Sequence, residues 1–165
     1  MKSVPCAEAP AFRVHLTNVA GTGAVQLVGS LLPALERAPG RRLREIYLPD
    51  RGELAAYQRI SPGPLPMRRR RILFNAASRL LECLWPGRAL DGETPLLVLG
   101  DLPLRCAAPQ AVFVQTLHLT TASHSADRLG ELKYRIARAV FRANRKRPHA
   151  FIVQTEAMRA ALVHS

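Results

Sequence analysis

The spacing of apolar and polar residues predicts short strands alternating with amphipathic helices. Apolar residues at every second position, or in short continuous runs, indicate strands, whereas spacings of three and four indicate helices. The strand pattern occurs at 12–17, 44–49, 95–101, 111–115 and 150–155. The helix pattern occurs from Ala24 to Ala38, at 67–85, from Leu129 onwards and from Glu156 onwards, with a short helix expected after Asp50.

This order of elements is typical of one fold class. Strands that alternate with helices form open, mostly parallel sheets covered by helices on both faces. We therefore predict an α/β fold with a single Rossmann-like domain over 1–165. Ligands of such sheets bind beyond the carboxyl ends of the strands. The predicted ends are 17–23, 49–52, 100–103 and 115–120.

Positive charge is concentrated in two blocks of the chain, whose net charge is +12. Residues 67–90 hold six basic residues and one acidic residue, and residues 128–165 hold nine and two. Such blocks favour anionic partners, namely membrane lipid, polyphosphate or nucleic acid. Nucleic acid is the least favoured of these, because only 5% of residues are aromatic and no nucleic-acid-binding motif is present.

The first basic block contains a run of arginines at the start of the helix predicted over 67–85. The run is Arg68, Arg69, Arg70 and Arg71. Because the helix dipole disfavours cations at this end, the run suggests an external anion. With Trp85 at the other end, we expect contact with an anionic membrane surface, to which the helix at 130–147 contributes. The alternative is that both blocks are solvated faces of exposed helices.

Several classes of protein are not supported. Cys6, Cys83 and Cys106 are widely spaced and form no C-x-x-C pair, so we predict neither a disulfide framework nor a metal site. The first residues lack the apolar segment of a secretory signal. The uncharged stretch 16–35 contains too many glycine and polar residues for a membrane span. We therefore predict a cytoplasmic protein, peripheral on the inner membrane face where the basic helices bind lipid.

A glycine-rich junction separates the first predicted strand from the first predicted helix. Gly21 and Gly23 can adopt a positive φ and let a ligand approach the backbone, and the N–H groups of the following helix favour an anion. The dinucleotide fingerprint fails because Gln26 stands at its third glycine and Asp50 comes too late. No Gly-Lys-Ser/Thr follows, so a P-loop fails as well. The junction is either a phosphate site or a tight strand-to-helix turn.

Two polar residues follow later strands at the same expected edge. His118 could hydrogen-bond a sugar hydroxyl or a phosphate, or it could be a loop histidine without a partner. Asp101 could position a ligand hydroxyl, or it could cap the turn before Pro103. Glu45 and Glu53 have the E-x7-E spacing of retaining glycosyltransferases. We interpret that spacing as coincidence. The residues between the two glutamates start in a predicted strand and continue through "YLPDRG", so the two carboxylates need not share a face.

Several segments, in this order, resemble one family. They are "LTNVAGTGAVQLVGSLLPAL", "PLLVLGD", "AVFVQTLHL" and "FRANRKRPHAFIVQTEAMRAAL". Together they resemble the amino-terminal domain of GT-B glycosyltransferases of the family-4 type. The resemblance implies that Gly21, Thr22 and Gly23 lie by the phosphates of a nucleotide-sugar donor and that His118 contacts the transferred sugar. We expect Asp101 to orient the acceptor hydroxyl, with no cofactor besides the nucleotide-sugar co-substrate.

The chain departs from this family in two ways. Ala24 follows Gly23 where the family often has adjacent glycines, and the chain stops at Ser165, before a donor-binding domain. We therefore expect the acceptor-side half of a retaining glycosyltransferase, truncated or completed by a separate donor-binding domain, and inactive or weakly active alone. The acceptor would be a carbohydrate or a lipid-linked molecule. The alternatives are a non-catalytic Rossmann-like module that binds a nucleotide or phosphate, and a basic membrane- or nucleic-acid-associated protein.

Overall fold

A computed structural model describes most of the chain. The described residues are 10–17, 19, 22–40, 42–49, 53–57, 67–70, 75–85, 90–116 and 128–163. The strands are β1 (Ala11–His15), β2 (Arg42–Pro49), β3 (Met67–Arg70), β4 (Leu96–Val98), β5 (Gln110–Val114) and β6 (Ala150–Val153). The helices are α1 (Thr22–Arg37), α2 (Asn75–Leu84), α3 (Arg128–Asn144) and α4 (Glu156–Val163), with a 3-10 helix at Glu53–Ala56.

The described strands form one open parallel sheet, which confirms the predicted α/β, Rossmann-like fold. The order is β3-β2-β1-β4-β5-β6, and every pairing is parallel. β1 lies inside the sheet, where Val14 pairs with Ile46 of β2 on one side and with Leu97 of β4 on the other. From β1 the chain first builds the sheet towards β3, and then returns to build it from β4 to β6.

Helices cover the two faces of the sheet in the way that right-handed crossovers require. The connection β1-α1-β2 runs towards one edge, whereas the connections through α2 and α3 run towards the other, so they lie on opposite faces. On the α1 face, Val28 and Leu32 of α1 pack in one apolar cluster with Val14 and Ile46. On the other face, α2, α3 and α4 cover a second cluster. Its members include Cys83, Val98, Val112, Val114, Val140, Phe141 and Met158.

The helix predicted over 67–85 is wrong in its first part. Met67–Arg70 form the edge strand β3, where Met67 pairs with Ile46 and Arg70 pairs with Pro49, and α2 begins only at Asn75. Arg71 lies outside the described residues. A helix would concentrate these like charges at its positive dipole end, whereas an extended edge strand spreads them and is a common place for basic residues.

The remaining predicted elements are present, with shifted ends. α1 begins at Thr22 and continues through Pro33, and β4 is limited to Leu96–Val98 within the apolar run 95–101. The short helix expected after Asp50 is the 3-10 helix. Among the described residues, every helix is too short or too polar to cross a bilayer.

Candidate functional site

The candidate site lies where the order of the strands reverses, beyond the carboxyl ends of β1 and β4. In an open α/β sheet, the connections after two neighbouring strands can leave towards opposite faces. A crevice is then expected between these connections, and it is the usual ligand site of this fold. Here Leu16 and Thr17 directly follow β1, and Gly100 and Asp101 come two and three residues after the end of β4. The N–H of Leu99 donates to the carbonyl of His15 at 3.0 Å, so the two strand ends are held together where this fold is expected to bind a ligand.

Asp101 adopts a backbone conformation that is uncommon for a residue other than glycine. Its φ is 64°, and the N–H of Leu102 donates to the carbonyl of Gly100 at 2.7 Å, so Asp101 is the central residue of a γ-turn. Its carboxylate accepts a hydrogen bond from the N–H of Gln115 at 2.6 Å and another from the hydroxyl of Thr116 at 3.0 Å. Asp101 therefore joins the ends of β4 and β5, and its predicted contact with an acceptor hydroxyl stays a prediction.

The amino end of α1 lies in the connection that follows β1. The helix starts at Thr22 and has no acidic residue in its first turn, so no carboxylate of that turn competes for its free N–H groups. Gly23 is part of the helix and exposed, and a Cβ added there would meet nothing within 4 Å. Gly23 therefore needs neither a positive φ nor packing space, and its lack of a side chain leaves the first turn open.

Two predicted site residues lie outside the described residues. Gly21 precedes Thr22, and His118 follows the end of β5 by a few positions. Their proposed contacts with donor phosphate and transferred sugar stay predictions.

A buried polar cluster behind the crevice was not predicted from the sequence. Arg13 and His15 of β1, and Glu45 and Tyr47 of β2, are two residues apart within each strand and are all buried. Positions two apart face the same side of a sheet, and Tyr47 packs with the cluster under α2 and α3. The alternation of polar and apolar residues was visible, but it normally indicates a solvent-facing side.

His15 connects β1 to α2 within this cluster. Its side chain is 0% exposed, and its Nε2 lies 2.6 Å from the Thr17 hydroxyl oxygen and 3.1 Å from Glu82 Oε2. Because an ionised carboxylate only accepts hydrogen bonds, we infer that the proton is on Nε2. Nδ1 has no hydrogen-bond partner. The histidine therefore fixes the carboxyl end of β1 against α2.

Arg13 and Tyr47 organise the other half of the cluster. One guanidinium nitrogen of Arg13 donates to the carbonyls of Leu90 at 2.8 Å and Thr94 at 3.0 Å, which holds the turn before β4. The Tyr47 hydroxyl donates to Glu45 Oε2 at 2.5 Å. Burial raises the pKa of Tyr47 above its ordinary value, Glu45 raises it further, and Arg13 opposes the shift. These contacts fit a structural role.

The described residues contain no cluster that could hold a metal ion, and the Cys106 thiol is not activated. Among them, no group of three or more histidine, cysteine, aspartate or glutamate residues is placed to hold a metal ion. Burial raises the pKa of the Cys106 thiol, and the nearby Asp91 raises it further, so the thiol stays protonated near neutral pH. Glu45 lies in β2 whereas Glu53 begins the 3-10 helix, so the E-x7-E pair does not lie on one helix.

Comparison with known proteins adds no family assignment. No protein-family model, curated protein or solved structure matches the chain significantly. The parallel α/β sheet is therefore what is shown, and the resemblance to glycosyltransferases rests on the sequence segments alone.

Proposed function

We propose that this chain is the acceptor-side domain of a retaining, family-4-like glycosyltransferase. The observation that carries the proposal is the reversal of strand order between β1 and β4. The amino end of α1, which has no acidic residue in its first turn, follows the first of these strands, and the carboxylate of Asp101 follows the second. The N–H groups at the amino end of α1 would bind a phosphate, and the Asp101 carboxylate would accept a hydrogen bond from a sugar hydroxyl.

In this proposal the first turn of α1 faces the donor phosphates. The backbone N–H groups at Thr22 and Gly23 would stabilise negative charge on the leaving diphosphate, with Gly21 completing the loop. His118 would hold the transferred sugar.

Asp101 would orient the acceptor and not act as a mobile base. Both of its oxygens already accept a hydrogen bond from the end of β5, which fixes the carboxylate in one orientation. Each carboxylate oxygen has a further lone pair that can accept from a ligand hydroxyl. A fixed acceptor of this kind aligns a hydroxyl for attack while a second, donor-binding domain supplies most of the contacts to the nucleotide.

The proposal is tested by titrating the isotope-labelled chain with UDP-, GDP- and ADP-sugars and following its amide resonances by NMR. We expect weak binding, in the range of about 1 mM that a partial site supports, with shifts at Thr22, Gly23 and Gly100. Asp101→Asn should weaken the response to added acceptor sugars. The control Asp91→Asn, at an exposed carboxylate outside the crevice, should not. Absence of shifts at the crevice would contradict the proposal, and so would robust sugar transfer by the chain alone.

A non-catalytic nucleotide- or phosphate-binding module is the second candidate. The amino end of α1, which has no acidic residue in its first turn, would bind a phosphate in such a module as well. Calorimetry separates the two. Micromolar binding of a free nucleotide, without any effect of an acceptor sugar, would support the module.

A further inference from the structure

The outer faces of α2 and α3 carry large apolar side chains that the fold leaves in solvent. These are Leu81, Leu84 and Trp85 at the end of α2, and Leu132 and Ile136 on α3. Trp85 is 73% exposed, which is unusual for the largest apolar side chain. Both helices already bury another face in the core, through Cys83 of α2 and Phe141 of α3.

The exposed apolar residues of α2 and those of α3 lie on neighbouring helices. The Asn144 amide of α3 donates to the Cys83 carbonyl of α2 at 3.1 Å, and both helices connect parallel strands, so they run in the same direction side by side. Residues four apart follow one another along a helix face. Ile136 therefore lies on the row that leads through Val140 to Asn144, which is the side of α3 that faces α2.

A basic row accompanies the apolar one. Arg135 and Arg142 are exposed at helical spacing on α3, Lys146 is exposed just beyond its end, and among the described residues none of them forms an ion pair. At the end of α2, the exposed Arg105 donates to the Leu84 carbonyl at 3.0 Å. The acidic residue of α2 does not offset this charge, because Glu82 turns inwards to His15.

We propose that this α2–α3 surface, formed by the apolar and basic residues just named, docks the protein on anionic phospholipid membranes. Trp85 and the leucines would enter the interface between headgroups and acyl chains, while the basic row would lie over the lipid phosphates. A second copy of the chain would bring like-charged rows together, and nucleic acid would leave the exposed leucines without an apolar partner. The surface does not include Arg68, Arg69 and Arg70, which lie in the edge strand β3.

The chain carries its own reporter, since Trp85 is its single tryptophan. With vesicles of phosphatidylcholine and phosphatidylglycerol, we expect its emission to shift to shorter wavelengths and to be quenched by lipids with brominated acyl chains. Vesicles of phosphatidylcholine alone should give little effect, and added salt should weaken binding. Unchanged emission in the presence of anionic vesicles would overturn the proposal, whether or not the protein floats with them.

Paired charge variants test the location. Arg135→Gln with Arg142→Gln should weaken partition into anionic vesicles about 30-fold, because each basic residue near such a surface contributes about fivefold. The control pair Arg37→Gln with Arg159→Gln removes the same charge from α1 and α4 and should change partition by less than about threefold. Equal losses in the two pairs would overturn the proposal, because binding would then follow net charge alone.

An apolar pair tests insertion by vesicle flotation. Leu84→Ser with Trp85→Ser should abolish most binding, whereas Ile152→Ser, at an exposed apolar residue of β6, should not. Circular dichroism checks that each variant is folded. Tighter binding to duplex DNA than to vesicles, lost on the same arginine changes, would overturn the lipid assignment. None of these measurements depends on sugar transfer, so the proposal stands or falls separately from the proposed function.

Discussion

The two faces of β1 and β2 are buried to similar extents but are built from opposite chemistry. Under α1, Val14 of β1 and Leu16, which directly follows β1, lie beside Ile46 and Leu48 of β2, and all are fully buried. On the other face, alternate positions of the same strands hold the polar cluster around His15. The first face is stabilised by apolar burial, which has no direction, and the second by hydrogen bonds that require defined partners.

One pair of strands can therefore gain stability from apolar burial on one face and a defined set of neighbours from hydrogen bonds on the other. The apolar face accepts any side chain of suitable volume, whereas the hydrogen bonds of the polar face need defined partners, because removing one partner leaves the other buried and unsatisfied. We therefore expect the two faces to differ in which substitutions they tolerate.

The largest effect is expected from a cavity in the apolar face. Ile46→Ala should lower the free energy of unfolding by about 4 kcal/mol, since it removes a fully buried side chain. Ile46→Val should cost only about 1 kcal/mol. Urea denaturation of both variants measures the difference. Equal costs would contradict the view that volume governs this face.

Loss of the buried guanidinium should come next. Arg13→Met retains much of the side-chain volume but leaves the carbonyls of Leu90 and Thr94 without their donor, so we expect a loss of about 3 kcal/mol. The matched change Arg44→Met, at an exposed position of β2, should cost less than about 0.5 kcal/mol. If the two variants unfold at the same urea concentration, the buried hydrogen bonds of Arg13 do not stabilise the polar face.

Tyr47 should make the polar face sensitive to alkaline pH. Tyr47→Phe should cost about 2 kcal/mol at neutral pH, because the buried Glu45 carboxylate loses the hydroxyl as a donor. The folded state raises the pKa of Tyr47 above its ordinary value of 10.0, so this contribution is complete below that pH and is lost as the pH rises through the folded pKa.

The measurement is the free energy of unfolding from neutral pH to above pH 10.0. Stability of the natural sequence should fall more steeply in the alkaline range than that of the Phe variant. Parallel curves would show that Tyr47 is not the group responsible.

The smallest effect is expected at the contact between His15 and α2. Glu82→Gln retains the shape of the side chain but weakens the acceptor for Nε2, so we expect a loss of about 1 kcal/mol. Long-range nitrogen NMR correlations should show a proton on Nε2 of His15 in the natural sequence. A ring protonated on Nδ1 alone would contradict the inferred contact.

The periodicity of the sequence was sufficient to predict the fold, but it did not predict that the polar face of β1 and β2 is buried. Runs such as "PLLVLGD" showed the buried parallel strands, because both of their faces are covered. In β1 the alternation of Arg13 and His15 with apolar residues was equally clear, yet it does not distinguish a polar face under a helix from one in solvent. Similarly, the arginines before Asn75 suit a helix by local propensity, and their pairing with β2 depends on residues far away in the chain.

The position of Asp101 beyond the end of a strand was predictable, but its geometry was not. Asp101 was expected at the edge of the sheet because it follows an apolar run, and the structure places it there. Its positive φ and its two bonds to the end of β5 depend on how β4 and β5 lie beside each other, which spacing along the chain does not reveal.

The inner position of β1 has a consequence for how the chain folds. Its pairing with β2 closes a short βαβ unit through α1, whereas its pairing with β4 must wait for a much longer stretch of chain. Contacts between distant parts of a chain form slowly, since their loop-closure entropy is lost before the contacts contribute. We expect β1, α1 and β2 to assemble first, and the edge of β1 that β4 later covers to be exposed in the meantime. During synthesis, that open edge is where a second copy of the chain could pair in error.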